Sequence, residues 1–112
     1  MTFDALDVVV IPFPFTDRAD AKRRPALVVS SRQFNRGHQH AVLAMITTAA
    51  GTDWPSDVPL RDWSKAGLSV PCRVRLKLFT LDAALVIKRL GALSDRDRLA
   101  TRRALRRFLA LA

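Results

Sequence analysis

The chain has 112 residues, one cysteine and a net charge of +9, from 19 Lys and Arg against 10 acids. That length predicts a single domain over 1–112, able to bury a modest core without metal or disulfides. A lone cysteine, Cys72, excludes an internal bridge and fits a reducing cytoplasm. The start of the chain lacks a basic stretch followed by an apolar run, and no segment approaches bilayer-spanning length, so the expectation is a soluble, unexported, cytoplasmic protein with no membrane partner. Every acid is Asp, and Arg outnumbers Lys 15 to 4. Planar guanidinium in such excess favours a polyanionic partner, unless Arg-rich coding alone sets the tally.

In chain order, Asp7 to Phe15 reads as a first strand with Val9, Ile11, Phe13 and Phe15 on one face. Pro12 and Pro14 share the other parity, so the edge facing their missing donors cannot pair there. Thr16 to Arg24 is a charged loop carrying Asp17, Arg18, Asp20, Lys22 and Arg23, either a flap over a site or a loose hairpin tip. Arg23-Arg24-Pro25-Ala26-Leu27-Val28-Val29-Ser30-Ser31 follows, two cations at the mouth of a strand apolar on both faces. Such a strand is central and buried, and proline is tolerated at its start. A guanidinium on so rigid a base is pre-organised to meet an anion; the alternative is a solvated double arginine ending a loop.

Arg32 to His40 contains a turn signal at Asn35-Arg36-Gly37, with one helical turn around Gln33 and Phe34. Ala41 to Thr48 is another buried strand. Neighbour pairing with Ser31 opposite Ala41 sets Arg24 against Thr48 and Pro25 against Thr47, so spacing alone brings Arg24 and the Thr47/Thr48 hydroxyls to one end of the sheet. Gly51 to Gly67 is irregular, with Trp54 and Trp63 either plugging a core or stacking bases, and only Asp57 to Leu60 extended. From Cys72 to Leu78 the alternation places Cys72, Val74, Leu76 and Leu78 inside and Arg73, Arg75 and Lys77 outside. That basic face is either solvated or answered by a polyanion. Thr80-Leu81-Asp82 reads as a turn, Leu85 to Leu90 as a last strand, and Ser94 as the N-cap of a terminal helix with Asp97 in the capping position. The helix has Ala104, Leu105, Phe108 and Leu111 on its apolar side, with Arg102, Arg103, Arg106 and Arg107 opposite. Together these elements predict a mainly β fold, a small barrel with a C-terminal α-helix.

Lipase, NTPase, dinucleotide and zincin motifs are all missing. His38 and His40 are the only imidazoles and share one turn-rich segment, without a carboxylate nearby to complete a metal site.

The order Asp7-Val8-Val9-Val10-Ile11-Pro12-Phe13-Pro14-Phe15, Arg23-Arg24-Pro25-Ala26-Leu27-Val28-Val29-Ser30, Met45-Ile46-Thr47, Ala66-Gly67-Leu68, Thr80-Leu81-Asp82 and Leu90-Gly91-Ala92-Leu93 resembles the PemK/MazF toxins of bacterial type II toxin-antitoxin systems. The resemblance spans nearly the whole chain, with Arg-Pro-Ala-Leu-Val its strongest element. It implies an SH3-like β-barrel that forms a homodimer, is silenced by a cognate antitoxin, and cuts single-stranded RNA with no metal or other cofactor. In that reaction the ribose 2′-hydroxyl attacks the adjacent phosphorus. The resemblance gives Arg24 and Thr47 the catalytic positions; the cationic residues Arg18, Lys22, Arg23, Arg73, Arg75 and Lys77 are then expected to bind the RNA. Some members carry an acid beside the basic strand where this chain has none, which leaves Asp17 or Asp20 as candidate proton acceptors. Leu6 stands where glycine is usual, and Cys72 where serine is common. The alternative reading is a catalytically weak member that binds nucleic acid or a topoisomerase-like target.

Overall fold

The computed structural model describes residues 2–14 and 20–110. In chain order these form β1 (Asp7–Phe13), β2 (Lys22–Val28), α1 (Arg32–His38), β3 (His40–Thr48), β4 (Val58–Pro59), β5 (Cys72–Asp82), a 3-10 turn (Ala83–Leu85), β6 (Lys88–Ala92) and α2 (Asp95–Phe108). The strands make one curled, fully antiparallel sheet in the order β4-β5-β3-β2-β1-β6, a half-barrel completed by the C-terminal helix. This is the mainly β architecture expected.

β2 lies between β1 and β3, and its Ala26–Val28 half is buried on both sides, which is why that run lacks alternation. Leu27 joins Val8, Ala44 and Ile46 in one core, while Ala26 and Val28 join Val9, Ile11 and Leu43 in the other. Two prolines decide where its neighbours stop. A residue's backbone N and O point to the same side of a strand. Because the Val10 carbonyl accepts from Ile87 at 2.8 Å, on the side of β6, Pro12 aims its donorless nitrogen at that same side. Pairing to β6 accordingly covers only Asp7 to Val10, while pairing to β2 continues through Phe13 opposite Lys22. On β2, the Val29 amide donates to the Val42 carbonyl at 2.9 Å, so Pro25 faces β3 with no donor to give. The β2–β3 ladder begins one residue later, at Ala26 opposite Met45.

Several boundaries differ from the sequence expectation. The β2–β3 register is one residue away from the one with Ser31 opposite Ala41, because α1 is a full helix that carries the chain across. Ser31 caps it by accepting from the Phe34 amide at 3.2 Å. Thr80-Leu81-Asp82 is not a turn: β5 runs on to pair Asp82 with His40, and Leu81 is buried. The turn comes immediately after, where the Asp82 carboxylate accepts from the Ala84 amide. The alternation in β5 fails after Arg75, where a register shift leaves Leu76 and Lys77 without partners on β3 and Leu78 exposed. The last strand is Lys88–Ala92 rather than Leu85 to Leu90. Phe15 and Leu111 lie outside the described residues.

Leu6, where the resemblance implies glycine, has φ 69. A left-handed leucine costs about 1–2 kcal/mol. Its side chain is 2% exposed within the core, a burial of about the same size in the opposite direction. Glycine is indispensable at Gly67 and Gly91. A Cβ at Gly67, whose φ is +90, would stand 2.6 Å from the Leu90 carbonyl oxygen, and one at Gly91 would stand 2.8 Å from that of Ala66. The 61–70 connection therefore lies directly on the β6 backbone.

The terminal helix is pinned by two aspartates. Ser94 caps it as expected, accepting from the Asp97 amide at 3.4 Å, but the Asp97 carboxylate turns away to accept from the Arg61 and Asp62 amides at 3.0 and 2.8 Å. Asp62 takes both Arg96 nitrogens at 2.7 Å and the Ser94 hydroxyl at 2.6 Å. The Arg96 bonds first, then Ser94, hold its carboxyl far below the usual carboxylate range. A lowered native pKa gives stability that is fully present above the unfolded value near pH 4 and is lost as pH falls towards the native one. Thermal melts followed by circular dichroism should therefore show Tm falling between about pH 4 and 2. Asp62→Asn should lower Tm at pH 7 and flatten that acid limb; an unchanged limb would show that the pinning contributes nothing.

Candidate active site

Where Pro25 ends the ladder, β2 and β3 part, and a cavity of about 420 Å³ opens between them. Arg24 and Pro25 form one wall, Met45 to Thr48 the other, and Leu68, Ser69, Val70 and Cys72 close the end. Carrying the Ala26–Met45 register two residues further sets Arg24 level with Thr47, and Thr47 pairs directly with Arg73 on β5. Residues directly opposed across a sheet project to one face. Arg24, Thr47 and Arg73 thus form one cross-strand row, with Arg24 and Thr47 across the gap.

Arg24 is exposed and Thr47 half-buried. No carboxylate among the described residues takes the donors of Arg24, and its backbone is held opposite Ile11 by β1. Lys22 and Arg23 precede it on β2, both exposed. Alternation turns Arg23 to the opposite face, into a neighbouring hollow. Arg18 and Asp17 lie outside the described residues, and Asp20 is exposed two residues before β2.

Arg73 and Arg75 are employed otherwise than expected. Instead of facing outward to RNA, Arg73 has a side chain only 7% exposed. Its Nη2 donates to the Ala50 and Thr52 carbonyls at 3.0 and 3.2 Å, Nη1 pairs with Asp53, and Nε stands 3.4 Å from Asp57. Arg75 forks onto Asp57 at 3.1 and 2.8 Å and lies 4.9 Å over the exposed Trp54 ring. The connection from β3 to β4 folds back over β5, so its own acids and carbonyls answer the repulsion that a polyanion was expected to answer. The bond from Arg75 holds the Asp57 carboxyl below its ordinary range. Lys77 alone of the three stays exposed, beyond the register shift.

The histidines and tryptophans separate from the cleft, whereas Cys72 reaches its closed end. His38 packs against Phe34, and His40 Nδ1 lies 2.8 Å from the His38 carbonyl; neither lines the cavity. Cys72 is buried in the core, where desolvation pushes its thiol up. Trp63 packs on that core, the plug reading, whereas Trp54 does not. Sequence reasoning missed Asp53 and Asp57, although two aspartates in one loop facing Arg-x-Arg offered a signal. It also missed Ser69 and Val70, for which only the strained Gly67 turn beside them was a hint.

A small curled sheet with a basic cleft at the start of its central strand and a C-terminal helix is the architecture of a toxin class. A model of the "PemK-like, MazF-like toxin of type II toxin-antitoxin system" family matches residues 4–109, and the chain belongs to that family. Among solved structures, a MazE–MazF complex from Deinococcus radiodurans is similar over 100% of both chains, with 23% identity and a TM-score of 0.76. An endoribonuclease in complex with its cognate antitoxin from a Mycobacterial species is similar over 99% of this chain and 96% of its own, at 19% identity and TM-score 0.76. The toxin MazF-mt6 of Mycobacterium tuberculosis is similar over 95% and 98%, at 21% identity and TM-score 0.72. A comparison with curated protein sequences gave no match. No helix among the described residues is long and apolar enough to cross a membrane.

The employment of Arg73 can be tested directly. Removing one partner from a buried ion-pair network costs about 3 kcal/mol or more. Urea unfolding of Arg73→Met should show a loss of that size, whereas Lys77→Ala should change stability by less than about 0.5 kcal/mol. Equal, small effects from both would return Arg73 to the surface.

Proposed function

We propose that this chain is the toxin of a type II toxin-antitoxin pair and an endoribonuclease that cuts single-stranded RNA without a metal ion. The observation that carries the reading is a backbone-anchored Arg24, with no carboxylate partner among the described residues, across a cleft from Thr47 at the end of the β2–β3 ladder. In the reaction, the 2′-hydroxyl of one ribose attacks the neighbouring phosphorus, the bond to the next 5′-oxygen breaks, and a cyclic phosphate and a 5′-hydroxyl remain. DNA lacks the attacking group and is spared.

Arg24 meets the negative charge that grows on the non-bridging oxygens in the transition state, and a pre-placed donor of this kind accounts for about a hundredfold or more in rate. Its role is electrostatic, because a guanidinium offers donors and positive charge but no acceptor for the 2′-hydroxyl proton. Thr47 donates its hydroxyl to a phosphate oxygen. The described walls of the cleft hold no carboxylate or imidazole. The 2′-hydroxyl proton passes to solvent or to Asp17 or Asp20 of the segment before β2, and the departing 5′-oxygen takes a proton from solvent. Lys22, Arg23 and Arg18 draw the strand towards the cleft, while Arg73 and Arg75 shape the loop beside Thr47.

A homodimer and a protein antitoxin complete the proposal. Structural neighbours that are MazE–MazF complexes support the second.

Primer extension on a long RNA incubated with purified protein tests the reading. Wild type should produce new ends at discrete sites, and Arg24→Ala should lower the cleavage rate at least about a hundredfold with Tm nearly unchanged. Cleavage undiminished in the variant refutes the assignment of Arg24. An inactive wild type that nevertheless arrests growth points to the binding-protein alternative.

A further inference from the structure

Beside the cleft lies a second hollow, of about 310 Å³. The two share Arg24, Pro25, Leu68 and Ser69, which form a ridge between them. Beyond that ridge the second hollow has a different character. Arg23, Arg24 and Lys88 line it, with Val10 and Leu90 as apolar surface. The cations come from two strands that are not neighbours, β2 and β6, with β1 between them.

The sheet explains the convergence. Val10 is paired with Pro25 on one side and with Lys88 on the other, so these three occupy one cross-strand row and one face. Arg23, two residues before Pro25, projects to that face as well. Strands lie about 4.8 Å apart, which puts the Lys88 and Pro25 backbones about 10 Å from each other, with the hollow between. Like charges at that range repel unless an anion or water answers them. No carboxylate among the described residues pairs with Arg23, Arg24 or Lys88. Cations above apolar side chains suit a ligand that is anionic at one part and flat and apolar at another, which is the chemistry of a nucleotide.

We infer that this second hollow holds the nucleotide adjoining the scissile phosphate, with Lys88 and Arg23 on its phosphate and Val10 and Leu90 against its ribose and base. The inference rests on the reading of the cleft as a ribonuclease site and deepens it. The scissile phosphate then lies in the cleft between Arg24 and Thr47, and the RNA crosses the ridge so that the adjoining nucleotide fills the second hollow. Lys88 is a binding residue of that site.

Binding and cleavage are measured separately so that the two proposals can fail independently. The binding probe is a fluorescent, mixed-sequence, single-stranded RNA with every ribose 2′-O-methylated, which cannot be cut. Its Kd is read by anisotropy between 50 and 200 mM KCl, a range in which phosphate contacts dominate the salt dependence. Lys88→Gln should weaken binding about fivefold and lower the slope of log K against log salt by about 0.7, the value for one lost phosphate contact on a single strand. Lys65→Gln, an exposed cation outside both hollows, should change neither. Wild-type affinity and slope in Lys88→Gln overturn the inference, as do equal losses in both variants or failure of the wild type to bind. On unmodified RNA, Lys88→Gln should raise KM about fivefold. A wild type that binds the probe but never cleaves RNA overturns the ribonuclease reading while leaving the binding site intact.

Discussion

The feature on which the site depends is an amide that is not there. Pro25 sits at the position of β2 whose donor would reach β3, and without that donor the two central strands cannot stay paired to their ends. Arg24 remains anchored on its other side by β1, which continues its ladder to Phe13. The result is a strand held firmly along one edge and released along the other, so a guanidinium can occupy a fixed place beside open space. An unbroken ladder would have closed that space. A wholly frayed strand would have left the arginine mobile, and the entropy of ordering it would have opposed binding.

The same logic of fixed charge extends outward from the cleft. On the far side of Thr47, Arg73 gathers the Ala50 and Thr52 carbonyls with two aspartates and so ties down the loop that leaves β3. Asp7 pairs with Arg89, Asp62 with Arg96, and Asp97, at the start of α2, accepts from the Arg61 and Asp62 amides. These acids are occupied in holding elements together. Among the described residues, Arg23, Arg24 and Lys88 near the cleft have no carboxylate partner, so the net charge of +9 is felt where the strands part. Family membership and this distribution of charge point the same way, and neither depends on the other.

Much of this was legible in the residues. The unalternating run from Ala26 to Val28 declared a central strand, the parity of Pro12 and Pro14 marked where an edge stops, and Ser94 announced the helix. Arg24 and the threonines of β3 could be brought to one end of the sheet by spacing alone, although one residue out of register, because the length of α1 was underestimated. The basic strand was misjudged for a different reason. Alternation says which side chains share a face but not what crosses over that face, and the 49–57 connection, irregular in sequence, supplied Asp53 and Asp57 from a distance of about twenty residues. Lys88 escaped notice for a similar reason, since its nearness to Arg23 is created by β1 lying between two strands far apart in the chain. Contacts of this kind are set by topology and leave no local signature.

The central claim is that Arg24 and Thr47 act on one phosphate from opposite walls of a single cleft. A double-mutant cycle on the single-turnover cleavage rate addresses it most directly, using Arg24→Lys, which keeps the charge but loses the planar fork, and Thr47→Val, which removes the hydroxyl with little change of shape. Shared action predicts that the double variant is scarcely slower than the worse single one, a coupling of at least about 1 kcal/mol. Losses that simply multiply would show two groups working independently, and would contradict the account.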